Sequence, residues 1–142
     1  MKFLTSGEKI KETRKYLKMK QQDLQDKTLS RGLISMIEIG QRSLNKDVAT
    51  KIVQKFCKRA EELEIKLELN IEYFLRTAEE DAELYSLKKL KQTSSFDEIQ
   101  NVLNIAQKFN LLNVSALAYS KLGDYFLASK IIITLLLIII IH

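Results

Sequence analysis

The chain has 142 residues, 46% of them hydrophobic and 29% charged, which suits one domain, or one small domain with part of a second, and excludes a disordered chain. It contains no proline, no tryptophan and only four glycines, so long helices are the default expectation. The net charge of +5 divides unevenly, with fifteen Lys and Arg against six Asp and Glu in residues 1–60 and eight against twelve beyond them. The lone Cys57 excludes an internal disulfide and points to a reducing compartment. Lys9, Lys11 and Glu12 break up the apolar residues near the start, so no signal peptide is expected and the protein is read as cytoplasmic.

In chain order, a first helix is predicted from Ser6, as N-cap, to Leu17, with Ile10, Arg14 and Leu17 on one face. A short second helix follows over Gln21 to Lys27, with Leu24 inward, and Thr28-Leu29 form a turn. Ser30 caps a third helix over Arg31 to Ile39, which ends where Gly40 can take the left-handed conformation. Leu44 and Asn45 open a fourth helix with Val48, Ile52, Val53 and Phe56 buried. Residues 63–73, LEIKLELNIEY, alternate apolar and polar side chains, which is a strand signal; a short extended connector near 64–70 is expected, with room to pair across a dimer. From Ile71 the spacing is helical again, with Ile71, Leu75, Ala78, Ala82 and Tyr85 in one row that suits a core or a dimer seam. Gln92 to Ser95 break it, Ser95 to Glu98 have capping-box form and start a helix to about Phe109, and a turn at Asn110 to Asn113 precedes another. Residues 131–141, IIITLLLIIII, are apolar in ten positions of eleven. Three readings stand for them: an aberrant end that packs poorly, burial against the last helices, or a membrane anchor. Length short of the ~20 residues of a spanning helix, and Lys130, count against the last.

The first four helices make a helix-turn-helix pattern, whose third helix enters the major groove of DNA. The basic balance of the first half points the same way, to a polyanion. Leu33, Ile34 and Ile37 hold that helix on the domain, while Arg31, Gly32, Ser35 and Met36 face outward as candidate base contacts. Arg31 can donate two hydrogen bonds to guanine, Met36 can pack on a thymine methyl, and Gly32 lets the backbone approach. Candidate phosphate contacts are Gln21, Ser30, Gln41, Arg42 and Lys20, at helix starts and in the loop after the third helix. Lys9, Lys11, Lys15 and Lys18 add diffuse attraction. Neutralising about six phosphates would lower affinity by ~10³ between 50 and 200 mM salt. No paired carboxylates, metal-ligand spacing, nucleophile–base arrangement or phosphate-cradling loop stands out, so neither enzyme activity nor a cofactor or metal is expected.

Residues 5–60, with Leu17, then Gln21 and Leu24, then Ile34-Ser35-x-Ile37-Glu38-x-Gly40 and Arg42, resemble the Cro/phage-repressor (XRE-type) family of helix-turn-helix regulators. The resemblance implies an ion pair between Arg14 and Glu38 that ties the first helix to the third. Thr28-Leu29 stand where the family's turn has glycine, and Gln25 where a small residue is usual. More weakly, Tyr119, Leu122, Gly123 and Phe126 resemble the opening of a tetratricopeptide repeat, with residues 97–109 as the closing helix of a repeat before it. The composition break after Lys130 then reads as a truncation or an out-of-frame tail.

The expected fold is thus all-α: a helix-turn-helix bundle of four to five short helices (residues 1–69), antiparallel helical hairpins of tetratricopeptide type (70–130) and a hydrophobic tail (131–142). The expected partners are double-stranded DNA, a second copy of the chain held through the helical second half, and a peptide or protein effector on that same half; a membrane is not expected. The rivals are an antitoxin-like interaction module that binds DNA secondarily and a membrane-tethered or non-functional truncated regulator.

Overall fold

The computed structural model describes residues 1–141; within the tail, His142 lies outside them. The chain is all-helical, and among the described residues there are eight helices and no strand. They are α1 (Ser6–Tyr16), α2 (Gln21–Leu24), α3 (Arg31–Glu38), α4 (Lys46–Glu62), α5 (Ile71–Leu75), α6 (Ala78–Gln92), α7 (Phe96–Phe109) and α8 (Leu112–Ile141). The chain divides into two compact units at Ala78/Glu79.

The first unit closes on one apolar core. Ile10 from α1 and Leu17 just past its end, Leu24 from α2, Leu29 from the turn, Ile34 and Ile37 from α3, Ile52 and Phe56 from α4, and Phe74 from α5 are all buried in it. Each such side chain contributes ~1.5–3 kcal/mol through removal from water. The helix starts are fixed by side chains: Ser30 Oγ accepts the Leu33 N–H and Asn45 Oδ1 the Val48 N–H, filling orphan donors of the first turn. α1 is capped one residue earlier than expected. Thr5 has the extended backbone of a cap and its Oγ1 accepts the Glu8 N–H, whereas Ser6 lies inside the helix and its hydroxyl donates to the Arg76 carbonyl at 3.3 Å.

α2 stops at Leu24 rather than Lys27. Asp26 draws the Thr28 N–H and hydroxyl onto its Oδ1 at 2.8 and 2.9 Å, a local turn that competes with continued helix. The turn then drops Leu29 into the core. α3 ends in a Schellman motif: Gly40, at φ +82°, gives its N–H to Ile37 O, and the Gln41 N–H returns to Met36 O.

Residues 65–70 have no regular structure and pair with no strand. Their alternation is nevertheless real. Ile65, Leu67 and Leu69 pack on the core while Lys66 and Glu68 face solvent. The helical row expected through 71–85 is two helices, parted at Arg76-Thr77. A group remote in sequence meets the break: the buried Lys9 ammonium donates to the Tyr73 and Arg76 carbonyls at 2.8 and 3.0 Å, satisfying acceptors at the end of α5.

In the second unit, Ile99, Val102, Leu103 and Ala106 of α7 meet Val114, Ala118 and Leu122 of α8, with Leu90 of α6 beside them. Asn110, in the left-handed conformation, ends α7, and the Leu111 N–H returns to Ala106 O. The Ser95 side chain makes no cap bond; its backbone N–H donates to Thr93 Oγ1 instead, so the expected capping box does not form. The expected turn is shorter, because α8 starts at Leu112. α8 then runs unbroken through the apolar tail, and from Gly123 to Ile141 no residue is buried. The reading in which the tail buries against the last helices is therefore not what forms. Beyond its chain neighbours and the backbone of its own helix, nothing lies within 4 Å of where a Gly123 side chain would begin.

Candidate nucleic-acid interface

α3 presents two faces because its apolar residues recur at helical spacing. Ile34 and Ile37 are buried and Leu33 is half-buried against the core. On the other side Arg31, Gly32 and Met36 are exposed and Ser35 is half-exposed. Met36 keeps 42% of its surface, and Ile39, just past the helix, 63%; neither is drawn into the core.

The helix is held by a polar clamp at its far end. Glu38 is buried, and its carboxylate accepts Arg14 Nε at 2.7 Å on Oε1 and Arg14 Nη2 at 3.1 Å on Oε2. Arg14 Nη1 donates to the Met19 carbonyl at 2.9 Å, and the Gln21 amide donates to Glu38 Oε2 at 2.8 Å. One carboxylate therefore joins α1, the segment after it, α2 and α3. A paired fork of this geometry fixes angle as well as distance, and removing one partner would leave a buried charge uncompensated.

The same clamp limits what Gln21 can offer a phosphate: its amide nitrogen already serves Glu38, leaving one amide hydrogen. Lys20 is exposed, but its backbone N–H donates to Asp23 Oδ2 at 2.7 Å, so only its ammonium is available. The Gln41 and Arg42 N–H groups both donate to Met36 O, at 2.9 and 3.2 Å, and a phosphate would meet their exposed side chains. Ser30 Oγ accepts from Leu33, which leaves its hydroxyl hydrogen for an outside acceptor.

Lys20, Gln21, Gln22 and Arg31, with Arg14 behind them, line a surface recess of about 360 Å³. Arg14 is neutralised by Glu38, so the positive charge of the recess comes from Lys20 and Arg31, the sign an anionic oxygen requires. Gln22 was not among the residues singled out from sequence; its place beside Gln21, at the start of α2, was the available signal. Lys9 is the reverse case. It is buried with its ammonium on carbonyl oxygens and 4.5 Å from the centre of the Tyr73 ring, so it adds no diffuse attraction at the surface. Cys57 is a half-buried free thiol against the core. Among the described residues no group of three or more His, Cys, Asp or Glu is arranged to hold a metal.

Residues 10–63 match the profile of the helix-turn-helix family HTH_3, which is of Cro/C1 type. No curated protein and no solved structure matches the chain.

Proposed function

We propose, from residues 10–63 as a helix-turn-helix domain of Cro/C1 type, that this protein is a sequence-specific transcriptional regulator binding a near-palindromic operator as a homodimer. The observation that carries the reading is the exposed Arg31–Gly32–Ser35–Met36 face on a helix whose underside is buried and whose end is clamped by Arg14 and Glu38. A base-reading helix needs that combination of a free face and a fixed angle. In this reading Arg31 reads guanine, Met36 covers a thymine methyl, Gly32 and Ser35 let the backbone approach, and Lys20, Gln21, Ser30, Gln41 and Arg42 hold phosphates.

The second copy pairs through residues 65–69. Two such segments laid antiparallel about Leu67 put each Lys66 opposite the partner's Glu68, a cross-strand pair of opposite charge formed twice. The helical second unit supports this assembly and receives a peptide or protein signal. Support for that role is the resemblance of Tyr119, Leu122, Gly123 and Phe126, which follow α7, to the opening of a tetratricopeptide repeat.

The test is a binding-site selection from randomised duplexes with the full chain, followed by titration of Arg31→Ala on the selected site. Loss of ~1–3 kcal/mol on that site, with relaxed preference at one base pair and little change on random DNA, is expected. Equal losses on both would make Arg31 a phosphate contact only, and no selected sequence at all would overturn the reading.

A further inference from the structure

The last third of α8 is the least accommodated surface of the molecule. Ile131 to Ile141 make three turns of helix in which every residue is exposed and Thr134 alone is polar. An amphipathic helix that expects a protein partner is apolar along one stripe. Here the apolar side chains fall on every side, so a single partner helix would leave most of them in water. A medium that surrounds the helix is the complementary environment, and a lipid bilayer is such a medium.

We infer that Ile131–Ile141 inserts into the hydrocarbon of a lipid bilayer, with Lys130 at headgroup level and Tyr125 and Phe126 in the interfacial layer. Three further observations support it. The hydroxyls in this part of α8 are satisfied within the helix: Thr134 Oγ1 donates to Lys130 O at 2.9 Å and Ser129 Oγ to Tyr125 O at 3.0 Å, which is what the absence of water demands. Lys130 is the only charge between Asp124 and Ile141, and its long stem can carry the ammonium to the headgroups. Tyr125 and Phe126 are exposed just before it, with ring centres 5.6 Å apart, where aromatic side chains collect at membrane surfaces.

The geometry also removes the objection that Lys130 raised. Eleven residues at 1.5 Å rise reach about 16 Å from Lys130, roughly one leaflet of a ~30 Å hydrocarbon layer. Insertion from Ile131 onward places the lysine at the surface rather than inside. The apolar stretch also extends α8, a 30-residue helix whose most apolar 18-residue window has a mean hydropathy of 2.3 and no buried residue. The inference stands independently of the DNA reading.

The chain has no tryptophan, so Leu137→Trp supplies a single depth probe and Gln54→Trp, at an exposed position of α4, its control. The full chain is transferred from mild detergent to zwitterionic phosphatidylcholine vesicles and floated at low and high salt. Flotation independent of salt is expected, with Leu137→Trp quenched several-fold more than Gln54→Trp by lipids brominated in the acyl chain. The double variant Ile133→Lys/Leu136→Lys should stay in the soluble fraction with the thermal transition of the first unit unchanged. Flotation that needs anionic lipid and disappears at high salt would assign it to the basic first unit and overturn the inference. So would an unquenched Leu137→Trp in a chain that forms oligomers with or without vesicles, which would mean that tails pair with each other, or flotation of the double variant like that of the parent.

Discussion

Asp26 organises the turn between α2 and α3 with a single side chain. One oxygen holds the Thr28 N–H and hydroxyl, and the other meets Lys55 of α4 at 3.0 Å. The hydrogen bond from Lys55, then those from Thr28, hold its carboxyl well below the usual carboxylate range. A group whose folded pKa is depressed adds stability that is complete above its unfolded pKa and fades as pH falls through the folded value. Asp26→Asn keeps an acceptor for Thr28 but loses the charge facing Lys55. Parent and variant should therefore differ by a constant amount above about pH 5, and the difference should shrink progressively as pH falls below about 4, read from urea midpoints across that range. Asp26 was not singled out from sequence, where it stands as one more polar residue within an expected helix. Arg14 and Glu38 are a different case: 24 positions apart, they carry no spacing signal, and only the family resemblance implied that they pair.

At the scale of elements, the contact that sets the angle of α3 is the crossing of α1 over its end. Gly7 is buried there, and a Cβ at this position would fall well inside contact distance of the Ile37 carbonyl oxygen and 2.9 Å from that of Glu38. Both obstacles are backbone and cannot swing aside. Gly7→Ala should thus destabilise the first unit by about 1–3 kcal/mol in spite of alanine's better helix propensity. A lower urea midpoint at unchanged m-value is the check; no loss would mean that α1 can move off α3 at little cost. Element positions were largely legible because capping residues mark them locally, as Ser30, Asn45 and Gly40 do. The failures have local competitors too, the Asp26 turn that ends α2 and the Thr93 contact that occupies Ser95. Residues 65–70 illustrate a limit of period: a two-residue alternation gives which side chains face inward but is the same whether or not a strand lies alongside.

For the whole molecule, the proposed dimer rests on charge order in that connector. Lys66→Glu would put a carboxylate opposite the partner's Glu68 at both ends of the pairing and should weaken self-association by about tenfold. Adding Glu68→Lys restores the alternation in reverse and should recover the parent's association, measured by sedimentation at low salt. Equal association in all three proteins would place the dimer contact elsewhere. Both substitutions lie outside α8, so this test and the vesicle test are independent.

Local chemistry along the chain was enough to establish an all-helical protein, the caps at Ser30 and Asn45, the stop at Gly40 and the two-faced character of α3, because each depends on neighbours within about one helical turn. Tertiary contact decided the rest. Lys9 resembles any surface lysine until α5 brings the Tyr73 and Arg76 carbonyls to it, and that capture removes a cation from the surface. The Gln21 amide is free in sequence and engaged once Glu38 is buried beside it. Whether the apolar end of α8 would find cover was likewise a question of what packs against what, and within the described chain nothing reaches it, because the core of the second unit closes at Leu122.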